Sequence, residues 1–429
     1  MKYSHNPSQL SIFDFNNVLK VNLDENNELV KMRKLIPWDE LIDIVFKKYS
    51  DFGRPSRSVL LMLCLEILKR RFQLSDNDLF GRFKVDISFQ YFCGFSSFAH
   101  GQLPLDTSNM TKFRNRLDEN TLDEIENIVT RALIKYIPKK RRHSIIPDST
   151  CLPANITFPT DTKLLTTVFD KAVKAAKAIG IKLIKGKRKI KNLIRSFNLK
   201  RRKTFKEITN MRKKLVRACN KVIAKVTSKI TDTTEEVIKT TIDLAKKIVA
   251  QQEKRNSEKT NIIEDRIVSF HEPNVRPIKR GKDGAKCEFG KKVGFSVIGE
   301  TLLVTAKIDN NNFDDRELVL TAIEKHNRIT GRDPTEQIMD RGGHSKTNHD
   351  LLEKRGIKDG IQRKGKQKDK PTRTQIRQRR RRSVVEGKIG TAKQWYGLNR
   401  NRYKEDNAKA YTVFGLIAMN TTCIIRKAA

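Results

Sequence analysis

The sequence predicts an α/β protein: a mixed sheet flanked by helices, preceded by an N-terminal all-α region and interrupted by a long basic helical insertion. Three observations predict it. Apolar residues recur at helical spacing from Trp38 to about Lys139. Alternating or buried apolar runs mark strands at 143–150 and 290–308. Between them, residues 161–260 are rich in Lys, poor in Pro and carry apolar residues at spacings of three and four.

In the N-terminal region, VLLMLCLEILKRRF repeats apolar residues as a buried helix would, and Ser75 is a candidate N-cap for DNDLFGRF. A further helix is expected from Ser108 (SNMTKFRNRL), presenting Thr111, Lys112 and Arg116. That face suits a DNA-reading helix, and equally an ordinary solvated basic face. The region is bounded at residues 1–139, with a second domain over 140–429 that the insertion 161–260 interrupts.

The second domain opens with HSIIPDST, a short buried strand, and resumes with strand candidates RIVSFH (266–271), GKKVGFSVI and TLLVTAKI. The last two predict a hairpin, with Gly299-Glu300 suited to a type II′ turn. A helix from about Asp314 to Arg328, a strand EQIMD ending at Asp340 and a helix opening at Ser345 follow. In the insertion, Ile208, Met211, Leu215, Ala218, Val222 and Val226 form a coiled-coil-like seam of a helical hairpin.

A net charge of +40, from 89 Lys+Arg against 49 Asp+Glu, calls for a polyanionic partner. Residues 171–230 alone carry +21, almost without acids, and 361–384 carry +10. Basic helices lying on DNA phosphates account for such one-sign runs, whereas merely solubilising faces mix signs. The start MKYSHNPSQLSIFDF lacks an apolar signal core, and the run Val413 to Met419 is far below spanning length, so a cytoplasmic location is expected. Six scattered cysteines without a C-x-x-C pair argue against a zinc knuckle or a disulfide framework.

Phosphodiester chemistry at DNA can be driven by two divalent cations about 4 Å apart, held by hard carboxylate ligands. An acid in an apolar strand is costly unless it serves a cation or a partner. Asp148 interrupts SIIPD, and Asp340 ends QIMD just before Gly342-Gly343. On RRRSVVEGKIGTAKQWYG, Val385, Ile389, Ala392 and Tyr396 make an apolar docking stripe. Beside it Arg382, Glu386 and Lys393 fall within about 40° of each other on the helical wheel. This is a carboxylate flanked by cations, or an ordinary i, i+4 ion-paired surface. Asp161 and Asp309 are secondary acidic candidates; His271 and His344 are secondary histidines, structural or phosphate-contacting.

These residues resemble the DDE transposases of bacterial insertion sequences, in particular the insertion-sequence family five group. PLDTSNMTKFRNRL resembles that group's N-terminal helical domain, PDSTCLPANITFPTDTKLL its first-aspartate block, and IVSFHEPNVRPIKRGKDGAKCEFGKKVGFSV its strands. MDRGGHS resembles the second-aspartate block and RRRSVVEGKIGTAKQWYGLNRNR the glutamate block. The resemblance implies an RNase H-like catalytic fold. It further implies that Asp148, Asp340 and Glu386 hold Mg²⁺ or Mn²⁺, two ions, and that Arg382 and Lys393 contact DNA ends, with Lys112, Arg116 and Arg400 as further DNA contacts. Where the family often has Tyr, position 379 is Arg, and Gly343 stands where relatives commonly carry an aromatic residue. The implied activity is metal-dependent cleavage and strand transfer on double-stranded DNA, at terminal repeats and target, by a homo-oligomer assembled on that DNA. A non-cutting DNA-binding descendant and a nuclease of the same fold without strand transfer are the alternatives.

Overall fold

Most described helix starts carry a capping side chain, and the apolar spacing then decides what each helix buries. A computed structural model describes residues 23–50, 52, 56–95, 105–181, 186–232, 234–258, 263–279, 287–365 and 370–428. It divides into two compact units, 1–154 with 291–429, and 155–290.

Among its described residues, the first unit begins with seven α-helices: α1 (Glu28–Leu35), α2 (Trp38–Phe46), α3 (Val59–Arg71), α4 (Asp76–Val85), α5 (Ile87–Phe92), α6 (Thr107–Arg114) and α7 (Glu119–Leu133). Ser75 caps α4 as expected, its hydroxyl accepting from the Asp78 amide at 3.1 Å. α1 lies ahead of the helical pattern seen in the sequence. The helix expected from Ser108 is shorter than anticipated: Asp106 caps it and it ends at Arg114. Lys112 is exposed on α6, while Arg116 lies beyond its end with its guanidinium 4.7 Å from the Tyr49 ring centre.

The sheet strands of this unit are β1 (Ser144–Pro153), β4 (Leu302–Asp309), β5 (Glu336–Met339), β6 (Lys358–Ile361) and most of β3 (Cys287–Ile298). Their order is β4–β3–β1–β5–β6. β3 and β4 are antiparallel, whereas β1–β5 and β5–β6 are parallel. The Gly299 amide at the end of β3 donates to the Ser144 carbonyl at the start of β1, so those two strands run oppositely. The β3–β4 hairpin forms as the alternation predicts, but its turn is not type II′. Gly299 and Glu300 both have positive φ, 59° and 58°, the signature of type I′. A Cβ at Gly299 would lie 2.8 Å from the Ile137 side chain, so helix packing as well as turn geometry demands glycine there.

The remaining helices of this unit are α12 (Glu317–Thr330), α13 (Lys346–Lys354), α14 (Arg373–Trp395) and α15 (Ala408–Ala428). Ser345 caps α13 through the Asn348 amide at 3.1 Å. α15 packs on α7, α3, α1 and β4. It is the one described helix apolar and long enough to cross a membrane, at 20 residues (Ala408–Lys427), but 83% of that span is buried inside the protein. It is a core helix.

The boundary expected at residue 139 does not separate two cores. Leu63, Ile125 and Leu133 from the helices share one continuous apolar cluster with Val297, Leu303 and Ile338 from the sheet and Phe414 from α15. A buried ion pair crosses the same seam: Lys325 Nζ on α12 lies 2.7 Å from Glu126 Oε2 on α7. The other oxygen of Glu126 accepts from the Thr305 amide of β4 at 2.9 Å. Removing one partner of a buried pair leaves an uncompensated charge. Glu126→Ala is therefore expected to cost about 3–5 kcal/mol in urea unfolding; a loss below about 1 kcal/mol would mean the pair does not tie helices to sheet.

The second unit holds α8 (Asp161–Ala178), α9 (Lys187–Leu199), α10 (Phe205–Thr227), α11 (Glu236–Ser257) and β2 (Arg276–Lys279), which pairs with the first residues of β3. The predicted seam is present on α10, where Met211, Leu215, Val222 and Val226 are buried and Ile208 and Ala218 half-buried. It packs against both α8 and α11, making a bundle with its own core rather than a two-helix hairpin. The expected strand 266–271 is not formed. Ile267 and Phe270 instead join the bundle core, which short apolar runs permit as readily as strand pairing.

Candidate active site

Two parallel strands bring the aspartates together. β1 and β5 pair Ser144 with Glu336 and Ile145 with Gln337; Asp148 lies three residues farther along β1, and Asp340 directly follows the last residue of β5. Both are half-buried, Asp148 in the middle of β1 and Asp340 where β5 gives way to a turn. The Asp148 carboxylate accepts from the Ser149 amide at 2.7 Å. Asp340 Oδ1 accepts from the Gly342 amide at 2.8 Å, closing a short 3₁₀ turn.

The helix with Glu386 docks as its stripe predicts. Val385, Ile389, Ala392 and Tyr396 are buried, and α14 lies against β1 and β5. An anchor invisible in the sequence fixes it. Arg381 bonds Glu300 Oε1 at 2.6 Å and Ser144 Oγ at 2.6 Å and pairs with Glu336. Gln378 adds a bond to Glu336 Oε1 at 3.0 Å. Glu386, a little over one turn beyond Arg381, is 56% exposed and pairs with Arg382 at 3.0 Å, the i, i+4 arrangement that an isolated helix would also make.

Burial in a poorly solvated position, followed by the negative charges of Asp340, Asp315 and Glu386, pushes the Asp148 carboxyl up to about 6. Asp315 was not a candidate in the sequence. It sits just before α12, its Oδ1 accepting from the Ser149 hydroxyl at 2.7 Å and lying 2.9 Å from Lys292 Nζ. No motif marks it, because the neighbouring Asp314 is equally acidic and equally near the helix start. Gly342 and Gly343 leave room here. A Cβ on Gly342 would stand 2.8 Å from Asp340 Oδ1 and 3.3 Å from Asp315 Oδ2, and one on Gly343 would meet Met339 Sδ at 2.6 Å. Among the described residues, no three His, Cys, Asp or Glu side chains already converge closely enough to hold one ion.

The other candidates separate from this cluster. Asp161 is a structural clamp at the start of α8, 3.0 Å from Arg266, 3.4 Å from Arg212 and paired with Arg255. Asp309 closes the turn after β4, accepting from the Asn311 amide at 2.9 Å. His271 is exposed in the second unit. His344 lies 2.8 Å from His349, whose other nitrogen bonds Asp359. This chain leads from the turn after Asp340 toward a polar cavity of about 620 Å³ lined by Asp359, Arg363, Lys370, Gln378 and Arg379. None of Asp148, Asp340 and Glu386 lines it. Lys393 is half-buried on α14, and Arg400 is exposed in the turn before α15, next to Asn401, which bridges to Ala154 after β1. Lys112 and Arg116 belong to the α6 region, and among the described residues no hydrogen bond or ion pair ties either to the carboxylates.

Residues 17–116 match a family described as "Transposase domain (DUF772)", and residues 256–421 match one described as "Transposase DDE domain". A protein of Rhizobium meliloti named "Uncharacterized protein ORF8 in nfe locus" is 30% identical over 171 residues, covering 39% of this chain and 82% of that protein. No solved structure matches the chain.

Proposed function

We propose that this chain, whose residues 17–116 and 256–421 match transposase domains, is the transposase of a bacterial insertion sequence, of the family five group, which binds the element's terminal repeats, cuts there and joins the freed ends to target DNA. The observation that carries this reading is the pairing of the two parallel strands that lead to Asp148 and Asp340, with the helix bearing Glu386 packed against both. The strand order β4–β3–β1–β5–β6, with acids on β1, after β5 and on the helix following β6, supports an RNase H-like core.

The donor set fits divalent cations of the Mg²⁺ class: hard carboxylate oxygens, mutually repelling, beside a glycine whose missing Cβ leaves the space open. Asp148 and Asp340, from neighbouring strands, would be the first two ligands, and Glu386 would complete the set when Arg382 turns from it to a DNA phosphate. Two bound Mg²⁺ or Mn²⁺ ions would supply neutralisation of the attacking and leaving oxygens. Arg382, Lys393 and Arg400 orient the DNA end, and the basic bundle around α9 and α10 grips phosphates farther along the duplex. The protein acts on cytoplasmic DNA as a homo-oligomer, since two ends must be held together.

A second reading, a descendant that binds DNA without cutting, draws on the Arg382–Glu386 pair, which occupies the carboxylate the metal would need. One assay separates them: incubation of DNA carrying the gene's own flanking ends with Mg²⁺ or Mn²⁺, using the native protein and Glu386→Gln. Metal-dependent cutting lost in the variant supports the transposase; tight binding without cutting by either protein supports the second reading.

A further inference from the structure

Asp314 and Asp315 are adjacent acids with different fates. Asp314 is satisfied locally, accepting from the Arg316 amide at 2.9 Å and pairing with its guanidinium. Asp315 turns inward. Its Oδ1 is held by the hydroxyl of Ser149, the residue next to Asp148, and by the ammonium of Lys292 on β3. Lys292 is itself fixed: it donates to the Phe313 carbonyl at 2.7 Å, lies 4.7 Å from the Phe313 ring centre, and its side chain is only 12% exposed. The second oxygen of Asp315 shares with Asp340 Oδ1 the space beside Gly342.

We infer that Asp315 is a positioning residue of the site, a fourth carboxylate that through Ser149 and Lys292 sets the backbone position and local charge of the Asp148–Asp340 pair. This rests on the reading that the pair holds a divalent cation. Three features support it. The Ser149 bond ties the loop before α12 to the strand residue following Asp148, so the two cannot move independently. The Lys292 ammonium, nearly buried, is a charge that Asp315 neutralises; without Asp315 it would stand as an uncompensated cation beside a cation site. And the carboxylates of Asp315 and Asp340 border the same space, 3.3 and 2.8 Å from where a Cβ on Gly342 would stand, although only Asp340 belongs to the pattern legible in the sequence.

The signs of the effects are opposite for the two partners, which a purely structural contact would not produce. Mn²⁺ binding to the full-length protein, measured by titration calorimetry, is expected to weaken about tenfold in Asp315→Asn and to tighten a few-fold in Lys292→Met, through the change of one unit charge near the site. The double variant should return to within about threefold of native, since both charges are then gone. Native affinity in Asp315→Asn, with binding lost in Asp148→Asn, overturns the inference and leaves the transposase reading intact. Should Asp315→Asn not fold, Lys292→Met decides: unchanged or weaker binding overturns it. Absence of saturable Mn²⁺ binding in the native protein would instead sink the underlying reading and this inference with it.

Discussion

Asp148→Asn is expected to remove end cleavage by more than about a hundredfold, while DNA binding persists and the metal-free protein becomes more stable. The stability gain follows from the carboxyl being held up to about 6, from an ordinary 3.8, by burial first and by its acidic neighbours second. A folded-state value raised above the unfolded one means the folded protein binds the extra proton in the window between them. The stabilisation relative to the unfolded chain is thus fully present below about pH 4 and is lost as pH rises through about 6. At neutral pH the ionised carboxylate costs on the order of 3 kcal/mol, which the neutral amide relieves. Urea unfolding at pH 7 and pH 4.5, without metal, checks it: the variant should exceed the native protein at pH 7, with the difference shrinking at the lower pH. A variant less stable at both would mean that Asp148 holds the fold rather than a cation, and normal cleavage would remove it from the catalytic set.

Charge on the insertion should control affinity and leave chemistry alone. α9 buries none of its residues; its apolar side chains Ile190, Leu193, Ile194 and Phe197 are half-buried, and Arg188, Lys189 and Arg195 are exposed. Arg201 and Arg202, exposed in the turn before α10, extend the same basic stretch. Changing these five to Gln is expected to lower DNA affinity by about a hundredfold in low salt. It should also flatten the plot of log affinity against log salt by about 0.9 for each side chain that reaches a phosphate. Binding measured at several salt concentrations reads both. An unchanged slope would show that these charges solubilise the bundle and touch no DNA. Because the acids reside in the other unit, single-turnover cutting at saturating DNA should stay within about threefold of native.

Much of the site could be read along the chain because it is written in local patterns. Asp148 and Asp340 are acids at the ends of apolar runs, and β1 and β5 form where those runs predict. The stripe Val385, Ile389, Ala392 and Tyr396 states which face of α14 docks, and the buried positions agree. The β3–β4 hairpin and the caps Ser75 and Ser345 follow from alternation and side-chain chemistry within a few residues.

Other features depend on residues far apart in sequence meeting in space. Whether 266–271 became a strand or core packing was settled by the bundle that Ile267 and Phe270 could enter. Type I′ rather than II′ at Gly299-Glu300 comes with Ile137 crowding the glycine and Arg381 drawing on Glu300. Asp161, a plausible acid by position, is claimed by Arg212, Arg255 and Arg266. Asp315 gained its place from Ser149 and Lys292, 166 residues upstream and on another strand. The candidate acids, the docking stripe and the basic insertion are legible along the chain, because helix and strand periods and charge are properties of neighbouring residues. Which acids stand near one another came from the fold, because a carboxylate's surroundings depend on charges brought to it from distant parts of the chain.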